Sequence, residues 1–177
     1  REVEGFCAWM VSADATQRRR RGVIIAMSGG IDSSVCAALA VRAFGPKKVF
    51  GILLPERDSS HKSADRGELV AQHLGVPHEL HDTAPALEAI GCYRERDAAI
   101  RKLFPEYDDR WKSKLAIAGG ADGGINFFKL IVQSPDGELH EARLPLREYL
   151  QIVAATNYKQ RIRKTVEYYH ADRLNFA

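Results

Sequence analysis

Residues 23–34 read VIIAMSGGIDSS, and the rest of the chain is interpreted outward from them. Five apolar residues of the β type run into a Gly-Gly turn, and an alanine-rich stretch follows from Val35 to Phe44. A strand, a glycine-rich loop and a helix N-terminus in this order form a phosphate-binding geometry, because backbone N–H groups can approach an anion closely. We therefore predict a strand over 23–27, a helix from about 33 to 43, and a pyrophosphate site between them.

The polar side chains of this loop refine the predicted anion site. Ser28, Ser33 and Ser34 provide hydroxyl donors. Asp32 would repel a phosphate, so its presence favours a Mg²⁺ ion between the carboxylate and the phosphate oxygens. A serine-capped turn without a ligand is the simpler alternative. We interpret the loop as a cradle for magnesium and pyrophosphate.

The spacing of the glycines separates the loop from two better-known nucleotide motifs. It contains neither the G-x-x-x-x-G-K-[ST] pattern of a Walker A loop nor the G-x-G-x-x-G pattern of dinucleotide sites. The residues SGGIDSS at 28–34 instead resemble the PP-loop of the ATP pyrophosphatases. That resemblance implies cleavage of ATP between its α and β phosphates.

Composition limits the class of protein. The chain has 177 residues, 45% hydrophobic and 28% charged, which is ordinary for one α/β domain with its own core. A net charge of +3 is too small to indicate nucleic-acid binding. Three cysteines without a C-x-x-C pattern favour a reducing compartment, and no apolar stretch approaches the ~20 residues that span a membrane. We expect a cytoplasmic enzyme that binds neither nucleic acid nor membranes.

Strand and helix patterns alternate over the first half of the chain. Residues 48–54 and 76–80 read as the second and third strands, with a helix at 63–74 between them. The β-α-β-α-β order predicts an α/β fold with a doubly wound parallel sheet and flanking helices. Ligands bind beyond the C-terminal ends of the strands in such sheets, so Ser28 and Pro55 should lie at one site.

The second half is less regular. Residues 125–133 and 138–144 are predicted as strands joined by the turn SPDG at 134–137, which places an inserted β-hairpin at about 125–144. The glycine-rich run at 118–124 is interpreted as a loop, because no strand pattern precedes it. Further helices are predicted at 2–17, 84–90, 95–103 and 157–171, and a fourth strand is expected to begin at 174–177.

The last predicted helix carries candidate substrate-binding residues. Asn157 and Arg161 lie one turn apart, and Arg161 shares a face with Lys164 and Tyr168. Asparagine and arginine at this spacing can hold an amide or carboxylate together with an anionic group, and a tyrosine can stack on a flat ring. A solvated basic helix face is the alternative on spacing alone.

Four segments together resemble the NAD synthetase family. They are SGGIDSS at 28–34, GILLPERDSS at 51–60, the residues LGV at 74–76, and NYKQRIRKTVEYYHADRLN at 157–175. The last segment departs from the family pattern N-x-x-A-R-x-R…Y…A-x-R in having Gln160 in place of alanine. The segments agree with the family in both order and spacing.

The resemblance implies an adenine nucleotide α-hydrolase-like fold, a homodimer and an ATP-dependent ligase that forms an amide. ATP would adenylate the carboxylate of deamido-NAD and release pyrophosphate, and ammonia would then displace AMP to give NAD. No catalytic nucleophile is required, and Cys36 is interpreted as a core residue instead. ATP would be bound by Ser28, Gly29, Gly30, Asp32, Ser33, Ser34 and Leu54, with Asp32 also binding Mg²⁺, and deamido-NAD by Asn157, Arg161 and Tyr168.

Three features depart from the family pattern. Residues 91–150 are interpreted as an insertion, Val153 stands where an aromatic residue often stacks on the nicotinate ring, and the next strand, with its metal-binding glutamate, is not in the sequence. We therefore interpret 1–177 as a single domain, apparently incomplete at its C-terminus, that uses free ammonia or ammonia from a separate glutaminase. The insertion and Val153 favour, as an alternative, a paralogue that amidates another carboxylate. A non-catalytic adenine-nucleotide-binding module is a further alternative.

Overall fold

The computed structural model describes residues 2–13, 20–119 and 127–177. They divide into two compact units, which we call unit 1 (Arg1–Ala86 with Arg161–Ala177) and unit 2 (Leu87–Gln160). The expected insertion at 91–150 within one domain stays a prediction. The predicted end of the first helix at 14–17 and most of the predicted loop at 118–124 lie outside the described residues.

Unit 1 contains a parallel sheet with helical crossovers. Its strands β1 (Val23–Ala26), β2 (Val49–Leu53) and β3 (His78–Leu80) pair in that order, with Ile25 opposite Gly51 and Leu53 opposite Leu80. A short 3₁₀ turn (Pro46–Lys48) leads into β2. The helices of this part are α1 (Glu2–Ala13), α2 (Ile31–Phe44) and α3 (His61–His73).

The last residues extend this sheet on the other side of β1. The N–H of Ala177 donates to the carbonyl oxygen of Gly22 at 2.8 Å, and the carbonyl oxygen of Ala177 accepts from the N–H of Ile24 at 2.8 Å. In a parallel pair, one residue forms hydrogen bonds to the residues just before and just after the one that it faces on the other strand. Ala177 does this with Gly22 and Ile24, so the pairing is parallel. Ala177 thus pairs in parallel register with β1, so that the order reverses at β1 as in a doubly wound sheet. The parallel α/β fold is confirmed, but the expected strand at 174–177 is reduced to this one paired residue, because Leu174 still belongs to the last helix.

Side chains alternate between the two faces of this sheet. Those of Ile25, Val49 and Leu53 pack against the buried alanines and apolar residues of α2 and α3. On the opposite face, the ring of Phe50 stacks on that of His170, with centroids 5.6 Å apart. Each fully buried aliphatic side chain contributes roughly 1.5–3 kcal/mol to folding. Cys36 does not join this core but is exposed on α2, so the prediction of a buried cysteine was wrong.

Unit 2 contains an antiparallel sheet. The strands β5 (Phe127–Gln133) and β6 (Leu139–Arg143) form the predicted hairpin. A strand that the sequence pattern did not predict, β4 (Lys112–Ala118), pairs antiparallel with β5. Its apolar residues Leu115 and Ile117 are 37% and 68% exposed. Because the strand is not buried, its sequence does not need the strong hydrophobic pattern by which a buried strand is predicted.

Helix α4 (Ala84–Ala89) crosses the sequence boundary between the units, and unit 2 also contains α5 (Cys92–Arg101) and the first part of the long α6 (Leu146–Leu174). Helix α6 begins well before the predicted start at 157. Its early residues pack on β5: Tyr149 stacks on Phe128 with ring centroids 3.8 Å apart, and Ile152 joins Leu130 in the buried core. In the described ranges, no helix combines the length and the apolar character needed to cross a membrane.

Candidate nucleotide-binding site

Hydroxyl groups hold the loop between β1 and α2 in a defined curve. The Oγ of Ser33 accepts a hydrogen bond from the N–H of Ser28 at 3.3 Å and lies 3.0 Å from the Oγ of Ser28. It also donates to the carbonyl oxygen of Gly30 at 3.0 Å. The Oγ of Ser34 donates to the same carbonyl at 2.8 Å. The structure therefore brings the predicted serines and glycines of the loop together.

The N-terminus of α2 opens onto this loop. Gly30 is its N-cap, in an extended conformation, and no side chain caps the helix. Because the first bond of the helix runs from the N–H of Ser34 to Gly30, the N–H groups of residues 31–33 have no partner within the helix. Ile31 is 77% exposed, so this end faces solvent. Free N–H groups and the helix dipole together favour an anion at this position.

Two glycines allow α3 to approach the loop closely. Gly29 has a φ of +73°, and a Cβ atom there would lie 2.3 Å from the carbonyl oxygen of Ser63. In α3 itself, a Cβ atom on Gly67 would lie 2.7 Å from the carbonyl oxygen of Met27. Both positions therefore exclude a side chain. The sequence pattern singled out Gly29 as a loop residue but did not single out Gly67. The signal that could have found Gly67 is its position as a glycine inside a predicted helix.

Asp32 lies in the first turn of α2, beside the loop. Its side chain is exposed and makes no hydrogen bond or ion pair to any described residue. Mg²⁺ is commonly held by one or two carboxylates, with phosphate oxygens and water as its other ligands, so a single free carboxylate at a phosphate site fits this ion. Leu54 follows β2 directly and is buried, at the same C-terminal edge of the sheet as the loop.

The predicted substrate residues lie on α6. Tyr168 is 68% exposed and lines a pocket of ≈ 280 Å³ beside β1, together with Ile24 and Lys164. Arg161 is exposed and lies seven residues earlier in the same helix, about 10 Å along its axis. Asn157 is also exposed and belongs to the unit 2 part of α6. No side-chain hydrogen bond or ion pair ties up Arg161 or Tyr168 among the described residues, and their roles stay predictions.

Comparison with known proteins identifies the family. Residues 3–105 match the family model described as NAD synthase. The chain belongs to the NAD synthase family. The NH(3)-dependent NAD(+) synthetase of Rhizobium meliloti (strain 1021) is 54% identical over 160 residues, which cover 90% of this chain and 48% of that protein. The enzyme of the same name from Rhizobium rhizogenes is 46% identical over 177 residues, covering 99% of this chain and 53% of that protein.

The chain thus spans about half the length of the curated relatives that it matches. Among solved structures, the glutamine-dependent NAD+ synthetase from Acinetobacter baumannii in complex with ADP gives a TM-score of 0.61 at 16% identity. The match covers 98% of this chain and 24% of that one. It confirms the predicted fold of the NAD synthase family.

Proposed function

We propose that this chain carries the ATP-binding part of an ammonia-dependent NAD⁺ synthetase. The observation that carries the proposal is the SGGIDSS loop at 28–34, which is placed with the open N-terminus of α2 where the strand order reverses at β1. Ligands of doubly wound sheets bind at such a reversal. The name shared by the two Rhizobium relatives supports ammonia as the nitrogen donor, and the ADP complex of the Acinetobacter enzyme supports an adenine nucleotide.

The proposed reaction converts a carboxylate into an amide. A carboxylate oxygen of deamido-NAD attacks the α phosphorus of ATP, the bond to the bridging oxygen breaks, and pyrophosphate leaves. Ammonia then attacks the carbonyl carbon of the mixed anhydride and loses a proton, while AMP leaves with the bonding electrons. Since AMP is a good leaving group, the protein has to position the reactants and stabilise charge, and no nucleophilic side chain is needed.

The loop supplies what pyrophosphate release needs. The N–H groups of residues 31–33 would donate hydrogen bonds to the departing phosphates. The hydroxyl groups of Ser28, Ser33 and Ser34 hold the loop in shape, and each would have to rotate away from its partner within the loop to donate to a phosphate. Mg²⁺ held at Asp32 would neutralise negative charge on the phosphate oxygens. Leu54, buried at the same edge of the sheet, would lie near the adenine ring.

For deamido-NAD we propose binding by Asn157, Arg161 and Tyr168. Arginine pairs well with carboxylate and phosphate groups, and tyrosine offers a ring on which a flat heterocycle can stack. The exposure of all three side chains leaves them free to receive a ligand. We propose further that the protein forms a homodimer in which these residues reach deamido-NAD across the interface, and that a separate glutaminase can supply the ammonia.

A product assay tests the proposed function. The longest natural polypeptide that carries this sequence is incubated with ATP, Mg²⁺ and ammonium, with and without deamido-NAD, and AMP and NAD are followed by chromatography. Equimolar AMP and NAD that appear only with deamido-NAD would establish the synthetase. A parallel reaction with glutamine in place of ammonium, which should give no NAD, checks the nitrogen donor.

Two other outcomes distinguish the alternatives. Binding of ATP without NAD formation, but with AMP release when a different carboxylate is supplied, would favour a paralogue, for which the half-buried Val153 is the first position to examine. Binding of ATP without AMP release for any acid would favour a non-catalytic nucleotide-binding module.

Replacing Arg161 with alanine tests the substrate assignment. We expect the KM for deamido-NAD to rise about 10- to 100-fold, because a hydrogen bond between charged groups contributes roughly 1.5–3 kcal/mol. The affinity for ATP should be unchanged in isothermal titration. Arg147→Ala changes an exposed arginine in the first turn of α6, outside the family pattern, and is the control that should keep both constants. A loss of ATP binding in Arg161→Ala would instead assign Arg161 to the nucleotide site.

A further inference from the structure

Three side chains in unit 1 converge at the edge strand of its parallel sheet, apart from the nucleotide-binding loop. Glu79 lies in β3, His81 follows directly after it, and His170 lies in α6. One ligand atom from each lies within 4.8 Å of the others. Throughout the described ranges, no other three atoms from histidine, cysteine, aspartate or glutamate side chains come this close together.

The group is open to solvent at Glu79 and His81 and buried at His170. The side chain of His170 is only 1% exposed; its ring stacks on that of Phe50 and meets the ring of Tyr169 edge-on, with centroid distances of 5.6 and 5.1 Å. The side chains of Glu79 and His81 are 45% and 37% exposed. Aromatic packing therefore fixes one imidazole, while water or an ion can reach the other two groups.

The three side chains have too few protons to supply a hydrogen bond to every close contact among them. The Nε–H of Arg173 donates to Nδ1 of His170 at 3.0 Å, so the proton of the neutral His170 ring is on Nε2. That proton can only be directed at Nε2 of His81, 2.9 Å away, which must then be an acceptor. The same Nε2 of His81 lies 3.2 Å from Oε2 of Glu79, and no proton is left for this contact. A proton on Nε2 of His81 would supply the hydrogen bond to Glu79. That N–H would then face the Nε2–H of His170, and two donors repel each other.

We propose that Glu79, His81 and His170 bind a divalent cation of the zinc class. Two imidazole nitrogens and one carboxylate oxygen form a ligand set suited to zinc, cobalt or nickel, and a fourth position is open to water. Zinc–nitrogen bonds of about 2.0–2.1 Å at a tetrahedral angle place their ligand atoms about 3.3 Å apart. The contacts of 2.9 and 3.2 Å need a slight opening to reach this separation. Oε2 of Glu79 lies 3.9 Å from Nδ1 of His170, so the carboxylate also has to move toward Nε2 of that ring. The ion would connect β3 to α6 in unit 1.

The charges of the group suit a cation. Burial and the nearby positive charge of Arg173 lower the pKa of His170, so its ring is neutral and can offer a lone pair. Burial by itself would raise the pKa of Glu79. The nearby His81 side chain and the charge and hydrogen bond of Arg173 outweigh burial, so the pKa of Glu79 lies below its ordinary value and the side chain is a carboxylate.

Arg173 is the competing cation, but it uses the other atom of each partner. It donates to Oε1 of Glu79 at 2.6 Å and to Nδ1 of His170, whereas the ion would take Oε2 and Nε2. A metal on Nε2 moves the proton of the neutral ring to Nδ1, so the Nε–H of Arg173 must leave that atom. The side chain of Arg173 is 34% exposed and can do so while keeping its bond to Glu79.

Zinc titration of this chain tests the proposal. Zinc chloride is added by isothermal titration in excess Mg²⁺, which occupies the proposed ion site at Asp32, and we expect one zinc ion per chain. His81→Gln should lower the zinc affinity at least about tenfold, because it removes one ligand from a half-exposed position that tolerates substitution. His73→Gln, which changes an exposed histidine at the end of α3, is the matched control and should bind zinc like the parent.

Thermal unfolding provides a second readout. Zinc should raise the Tm of the parent chain and of His73→Gln but not that of His81→Gln, since a ligand that binds only the folded state stabilises it. Failure of the parent chain to bind zinc would overturn the proposal. Equal zinc affinity of the parent and His81→Gln would overturn it as well, because the ion would then be bound elsewhere.

Discussion

Replacing Asp32 with alanine is expected to lower kcat about a thousandfold, because charge stabilisation by a bound metal is worth several kcal/mol in the transition state. ATP affinity should fall much less. The carboxylate makes no hydrogen bond or ion pair with other described side chains, and the N–H groups of residues 31–33 remain to hold the phosphates. The variant should therefore fold normally and retain the anion site while it loses the proposed metal ligand.

The measurement is AMP and NAD formation at saturating ATP, deamido-NAD and ammonium, combined with isothermal titration of ATP in the presence and absence of Mg²⁺. In the parent protein, Mg²⁺ should strengthen ATP binding, and in Asp32→Ala this gain should disappear. Asp172→Ala removes an exposed aspartate of α6 and should leave both readouts unchanged. Unchanged turnover in Asp32→Ala would refute the proposed role of Asp32 in binding magnesium.

Gly29→Ala is expected to destabilise the protein and to weaken ATP binding strongly. The left-handed backbone of Gly29 costs about 1–2 kcal/mol for a residue with a side chain. The added methyl group would also lie 2.3 Å from the carbonyl oxygen of Ser63, and relieving such overpacking typically costs about 1–3 kcal/mol more. Because the loop and α3 must move apart, the Kd for ATP should rise at least about tenfold through loss of the preorganised cradle.

Gly75→Ala separates the two causes. Gly75 has a φ of +65°, close to that of Gly29, but a Cβ atom there would meet nothing within 4 Å. Urea unfolding should therefore show a loss of only about 1–2 kcal/mol for Gly75→Ala, with ATP binding unchanged. If the two variants lose equal stability and bind ATP equally well, the close approach of α3 to the loop has no role in forming the site.

Much of unit 1 could be predicted because its signals are local. The run at 23–34 contains a strand, a turn and a helix N-terminus in consecutive residues, and β1 and α2 lie where this run places them. The turn SPDG at 134–137 likewise specified the β5–β6 hairpin, because a turn of this kind is determined by adjacent residues. Prediction failed where the burial of a residue cannot be inferred from the hydrophobic pattern around it. The strand β4 was missed because it is largely exposed, and Cys36 was expected in the core but is on the outer side of α2.

The sequence by itself determined the order of the elements, the family and the composition of the SGGIDSS loop, because each of these depends on residues that are close along the chain. Only the tertiary structure decided the contact of Gly67 with the loop and the meeting of His81 with His170, whose positions differ by 89 residues. Distant residues meet only when the whole sheet and its helices have packed. The reversal of strand order at β1, which places the candidate site, likewise depends on Ala177 pairing beside a strand formed near the start of the chain.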